Sequence, residues 1–345
     1  MTRVDAIILH ARPPADAGPL EAAFAAAKAA NADRQARGFR AAGADVRVVE
    51  TEPGGASFGA RLRALAAGRA GAGLVVLGSG SVPLASDADR RAFVAAAADV
   101  AGSGAMLANN RFSADILAIP ASVDLAELPD VASDNGVPRW LADRGVEVRD
   151  LRRRWRLGVD LDSPIDLLAC GLAAAEDPSF ARARDAVLRV AACAADPAAE
   201  LVVAGRTSAA TLRWLETRTS SRTRALVEER GLRTAADGQR PARSILGLLL
   251  DRDGPTAIGR ILGELGDAAV IDTRVLLAHR RGRDEAGWPP AEDRFASDLL
   301  LHERIGDPWL RDLTRAAADA RTPIVFGGHT VVGPGLPVLL GLAGR

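Results

Sequence analysis

Tyrosine is absent from the chain, lysine occurs once, at Lys28, and cysteine and methionine occur twice each. Two cysteines, Cys170 and Cys193, exclude a disulfide framework and a CxxC metal knuckle. Both stand among Ala and Leu, which predicts small buried apolar side chains. Surplus charge is lacking too: 44 basic residues balance 44 acidic ones. A neutral chain has no basic excess to neutralise phosphates along a polynucleotide, so no nucleic-acid partner is expected. No apolar run approaches the ~18 residues that cross a bilayer, and the run before His10 and Arg12 is too short for a signal peptide. These absences predict a cytoplasmic protein with no membrane partner. The bias to Ala and Arg points to a GC-rich genome and weakens arguments from composition alone.

What is present is an ordinary globular content, 48% hydrophobic and 26% charged over 345 residues, enough for about two domains at roughly 150 residues each. Short apolar runs alternate with helical segments. Strands are predicted at 4–9, 46–49, 74–77, 106–108, 116–119, 146–151 and 156–159. Helices are predicted at 19–42, 58–70, 87–100, 138–144 and 165–175, with Ser86 as an N-cap and Ser163-Pro164 opening the last of these. A helix over 180–194 leads to Asp196-Pro197, where a domain boundary is expected, giving domains 1–195 and 196–345. The second begins with a strand at 201–204. Helix follows over 209–218, continuing through 219–231, then at 244–250 and 255–265. A strand at 268–271, a polar loop at 280–290, a helix at 308–320 and a strand at 324–326 complete it. Alternation of this kind predicts two α/β domains: a first with a mostly parallel sheet in a three-layer, Rossmann-like arrangement, and a second richer in helix. Ligands then belong beyond the carboxyl ends of the strands.

Three segments of the first half carry chemistry. Residues 74–84 (LVVLGSGSVPL) form a strand and a Gly/Ser turn containing Ser79 and Ser81. Residues 107–119 (LANNRFSADILAI) contain Asn110 and Arg111. Residues 159–167 (VDLDSPIDL) place Asp160 and Asp162 on alternate positions at a predicted strand end, where both side chains can share one side. Two adjacent carboxylates suit Mg²⁺, which would neutralise nucleotide phosphates and orient in-line attack on the α-phosphate. The same pair also reads as a turn and helix-capping cluster. In order and pattern the three segments resemble those of GT-A-like nucleotidyltransferases, in particular the guanylyltransferases of the deazaflavin and molybdenum cofactors, over roughly residues 4–175. The resemblance implies a GT-A-like first domain, Mg²⁺-dependent binding of a nucleoside triphosphate, and transfer of NMP to a small phosphorylated acceptor. Asp160 and Asp162 would be the metal ligands.

The sequence departs from that pattern at three places. The loop after the first strand, His10 to Gly18, has one glycine and two prolines instead of a phosphate-cradling glycine run, and proline has no N–H to offer. Ser81 and Asn110 stand where the pattern carries aspartates. Arg12 as a bidentate donor and Lys28 as a point charge are the remaining phosphate contacts, with backbone N–H groups of the Ser79–Ser81 turn. Asp134, in a turn-rich segment before Trp140, is a candidate base or sugar contact. The departures leave open a scaffold that binds a nucleotide, or serves assembly, without turnover.

The second half holds His279, His302 and His329, with no zinc-ligand spacing among them. Asp272 ends one predicted strand and Gly327-Gly328-His329 another. Neighbouring parallel strands would bring Asp272 and His329 to one carboxyl edge, with Glu292, Asp293 and Asp298 on the segment between them. That grouping reads either as an acid–base site of a phosphoester or glycosyl hydrolase, or as capping and ion-pair residues. Arg152-Arg153-Arg154-Trp155-Arg156 reads as a solvated, charged edge.

Overall fold

The structure, a computed structural model, describes residues 2–52, 55–232 and 240–341. The chain forms two compact units. The first comprises residues 1–17 and 22–161, the second residues 18–21 and 162–345. The division falls after Leu161, ahead of the 195/196 boundary that Asp196-Pro197 suggested. The physical reason is that the helix Ala181–Ala195 covers the second unit's sheet and packs on three of its strands.

The first unit is a six-stranded sheet. Its strands are β1 (Val4–Ala11), β2 (Asp45–Thr51), β3 (Gly73–Gly78), β4 (Met106–Ala108), β5 (Ile116–Ile119) and β6 (Val148–Asp150). Their order is β2-β1-β3-β5-β4-β6. Only β5 runs antiparallel to its neighbours, so the sheet is mixed but mostly parallel. Side chains alternate across it as strand geometry requires. Ala6, Ile8, Val75 and Leu77 face one buried layer with Phe39 and Phe93. Ile7, Leu74 and Val76 face the other with Leu62, Val137 and Leu141. Phe39 lies on the helix Pro19–Ala41 and Phe93 on Asp87–Ala97. Leu62 lies on Phe58–Ala67, Val137 and Leu141 on Gly136–Ala142. Helices on both faces of the sheet make three layers. Ser86 caps Asp87–Ala97 through a reciprocal box with Asp89.

The second unit has a parallel four-stranded sheet: β7 (Glu200–Gly205), β8 (Arg222–Val227), β9 (Ala268–Asp272) and β10 (Ile324–Gly327), in the order β10-β9-β7-β8. Every residue of β9 and β10 is buried, and apart from Asp272 at the end of β9 they form the apolar run of a strand covered on both faces.

The helix expected over 165–175 ends at Ala169. Two further segments take another form than expected, each from tertiary context. Residues 219–231 contain the edge strand β8 rather than more helix. Pairing with β7 overrides a segment whose only strand signal is Arg/Thr/Ala alternation, and Arg222 and Arg224 reach Glu200 on β7. Residues 156–159 make a single 3₁₀ turn, Trp155–Gly158, because Arg154 and Arg156 turn to the buried Asp89. The two cysteines are half-buried rather than buried, and neither forms a disulfide. Among the described residues no helix is long and apolar enough to cross a membrane.

Candidate functional site

Both sheets share a topological feature. In each, the first strand lies between the second and the third, all parallel: β1 between β2 and β3, β7 between β8 and β9. The chain therefore leaves the first and third strands in opposite directions, and a crevice opens past their carboxyl ends, where open α/β sheets bind ligands.

In the first unit that position holds His10, from β1, and Ser79, just after β3. His10 Nδ1 lies 3.0 Å from Ser79 Oγ, and the Ser79 amide donates to Leu9 O. The helix Pro19–Ala41 fixes the turn from behind. Asn31 Nδ2 donates to Ser79 O at 2.8 Å, and Gln35 Nε2 to Val82 O at 2.8 Å. Both amides are buried, so each meets the need of a buried carbonyl. Three residues before Asn31 on the same helix, Lys28 stands over the Phe24 ring, its ammonium 5.0 Å from the centroid. Burial, followed by the Lys28 charge, lowers the His10 pKa, which favours the neutral imidazole. His10, Lys28 and Ser79 thus form one group, although only Lys28 and Ser79 were marked by the sequence.

The other expected contacts divide. Arg12 is tied to the exposed Glu50 and Glu52, with Nη1 3.0 Å from Glu52 Oε1, so its guanidinium is engaged on the surface instead of presented to a ligand. Ser81 is buried and pairs with Asp160 in an isolated antiparallel bridge, while Leu161 N donates to Gly80 O. The two segments thus meet in space. The division between the two units falls between Asp160 and Asp162. Asn110 Oδ1 caps a local turn at Phe112 N, and Arg111 stacks on Phe112. Its neighbour Asn109, which the sequence reading missed, is the buried linchpin: it donates to Asp115 Oδ2 and Leu157 O and accepts from Asp115 N. Asn135 Oδ1 accepts from Ala114 N, which joins the Asn110–Arg111 loop to the turn holding Asp134. A cavity of about 550 Å³ opens at the opposite, amino edge, lined by Arg3, Asp5, Arg40, Asp45 and Arg47, away from all of these groups.

In the second unit the equivalent position is filled by charge. Arg206, just after β7, grips Asp272, at the end of β9: Nε–Oδ2 is 2.6 Å and Nη2–Oδ1 is 3.1 Å. The carboxylate is fully buried and also caps the helix Thr273–Arg281 through Arg274 N. Gly205 permits the approach. Its φ of +131° suits glycine, and a Cβ there would sit 2.3 Å from Asp272 Cβ. Arg274 in turn makes a bidentate pair with the buried Asp298, at 2.6 and 2.7 Å. Gly327 is in register with Asp272, so Asp272 and His329 do come from adjacent strand ends, but they have different partners. His329 Nδ1 is 3.4 Å from Asp162 Oδ2. Asp166, fully buried, accepts from the amides of Asp162 and Ser163 through Oδ2. Burial, then the charge of Asp162, pushes its pKa well above the ordinary carboxyl value.

The expected cluster of Glu292, Asp293 and Asp298 is structural instead. Glu292 accepts from Leu20 and Glu21 amides and from Arg304, and Asp293 accepts from Gly306 and Asp307 amides. Among the described residues no three His, Cys, Asp or Glu side chains gather as metal ligands. Comparison of the chain with family models, with curated proteins and with solved structures returns no match.

Proposed function

We propose that the first unit binds the phosphate end of a nucleotide at the carboxyl edge between β1 and β3. The observation that carries this reading is the group His10–Ser79–Lys28 at the sheet's switch point. With the Ser79 hydroxyl donating to Nδ1, the imidazole proton sits on Nε2 and can donate to a phosphate oxygen. Lys28 supplies a positive charge on a braced helix. The nearby loops of Asn110–Arg111 and Asp134, joined through Asn135, would contact the base or sugar.

The nucleotidyltransferase-like motifs support the nucleotide as the ligand class. They do not support the metal equally. Ser81, opposite Asp160, brings a hydroxyl where the pattern carries a carboxylate, and among the described residues no three His, Cys, Asp or Glu side chains gather as metal ligands. The residues present do not fit a metal held by the protein, so no step is routed through one. Binding without nucleotidyl transfer is accordingly the better-supported form of the reading. Transfer of NMP to a phosphorylated acceptor is its extension.

Isothermal titration with ATP, GTP, CTP and UTP tests it. One nucleotide should bind, and Lys28→Ala should weaken it about tenfold to a hundredfold, the ~1.5–3 kcal/mol of a charge-assisted contact. Arg12→Ala should leave affinity unchanged. Binding equally tight in Lys28→Ala and His10→Ala, or no heat with any of the four, would contradict the proposal. Pyrophosphate release from a binding nucleotide would establish transfer.

A further inference from the structure

We propose that the cavity at the amino edge of the first sheet binds a free α-amino acid with an apolar side chain, its carboxylate taken by Arg40 and its ammonium by Asp45. The proposal does not rest on nucleotide binding at the carboxyl edge.

The cavity, about 550 Å³, is of the size that holds small molecules. Its walls come from three places. Arg3 and Asp5 lie at the start of β1, residues 40 and 44–47 lie where the helix Pro19–Ala41 passes into β2, and Gly68 follows the helix Phe58–Ala67. The passage into β2 is closed by its own hydrogen bonds. Gly43 N donates to Arg40 O at 3.0 Å and Ala44 N to Phe39 O at 3.1 Å, the paired bonds of a helix that ends in glycine, and Gly43 takes a φ of +96°. Arg40 and Asp45 flank this turn, so their backbone positions are set before a ligand arrives.

The charges of the cavity fall into two groups. Asp5 is buried, with Arg3 3.3 Å and Arg47 4.0 Å from its carboxylate, so these three are committed to one another. Arg40 and Asp45 are not. Arg40 makes no hydrogen bond or ion pair through its side chain with any described residue. The Asp45 carboxylate makes no hydrogen bond among the described residues, and its ion pair is to Arg3 at 4.0 Å. Asp45 also stands opposite Asp5 in the register of β1 and β2, where like charges repel, and an ammonium at Asp45 relieves that repulsion. A guanidinium is the matching fork for a carboxylate. Arg40 and Asp45 line one cavity without pairing with each other, so a ligand carrying both signs fits between them. A pure anion would meet the carboxylates, and a pure cation the guanidiniums. An α-amino acid carries both charged groups on one carbon, and Ala44 and Val46 offer its side chain an apolar wall.

Isothermal titration of the full chain with leucine, N-acetyl-leucine and leucinamide tests this, with arginine and glutamate as counterparts of charged side chain. Leucine should bind with saturable heat. N-acetyl-leucine, which lacks the positive charge, and leucinamide, which lacks the negative one, should each bind about tenfold more weakly, the loss of one charge-assisted contact. Arg40→Gln and Asp45→Asn should weaken leucine by a similar factor. Both positions are exposed, so these variants should fold, which circular dichroism checks. N-acetyl-leucine should bind Asp45→Asn and the parent alike, and leucinamide should bind Arg40→Gln and the parent alike, which assigns each charge to its residue. Arg91→Ala, at an exposed arginine on Asp87–Ala97 outside the cavity, should bind leucine as the parent does. No saturable heat with leucine, N-acetyl-leucine bound as tightly as leucine, leucine affinity unchanged in both cavity variants, or tighter binding of arginine or glutamate would overturn the proposal.

Discussion

The two units put different chemistry at the same topological position. Past β1 and β3 the first unit places a neutral pair, His10 and Ser79, braced by buried amides and attended by the chain's one lysine. Past β7 and β9 the second places an ion pair, Arg206 and Asp272, with a second pair directly behind it. Where the pair is neutral and its histidine half-exposed, a ligand can replace solvent at modest cost. Where the groups are buried and charged, each satisfies the other. A shared crevice therefore says where to look, and the side chains decide which edge binds and which is locked.

The largest test of that contrast is Asp272→Ala. It leaves the Arg206 guanidinium nearly buried without its carboxylate and removes a helix cap. Urea unfolding should show a loss of about 3–5 kcal/mol, the cost of breaking one side of a buried pair. Arg206→Leu with Asp272→Leu should lose far less. Ser79→Ala, the matching change in the first unit, should lose only about 0.5–1.5 kcal/mol, as for a neutral hydrogen bond. Equal losses at the two positions would erase the contrast.

A finer test is pH, because the two edges should respond in opposite senses. The Asp166 value lies above the ordinary 3.8, so the unfolded chain releases this proton first as pH rises. The stability Asp166 contributes is full below 3.8 and is lost as pH rises from there through the raised value. His10 is shifted below 6.5, so its contribution is full above 6.5 and is lost as pH falls through the lowered value. Urea midpoints measured from pH 4 to 8 should show Asp166→Asn flattening a decline toward neutral pH, and His10→Asn flattening a loss on acidification. Both variants changing the slope in the same sense would contradict the assignment.

Much of this fold was legible because its strands are short apolar runs punctuated by Gly, Ser and Pro. The buried strands β3, β7, β9 and β10 stand out for that reason. β8 does not, since an edge strand bearing Arg222 and Arg224 has no apolar signature and exists through its pairing with β7. The site was legible in part. A residue's place at a strand end follows from the local pattern, which marked Ser79, Asp272 and His329. Its partner does not. Nothing near position 272 in the sequence announces Arg206, and nothing near 329 announces Asp162, because these pairs are made by the order of strands in the sheet. Asn109 hid beside the more conspicuous Asn110 for the same reason: its four side-chain hydrogen bonds go to groups that come close only in the folded unit.

The most direct measurement is amide hydrogen exchange across the chain with and without a saturating nucleoside triphosphate. The account predicts slowed exchange at residues 78–82 and along 28–35, with residues 205–207 and 272–275 unchanged. Protection at the second set, or at neither, would contradict the assignment of nucleotide binding to the β1–β3 edge.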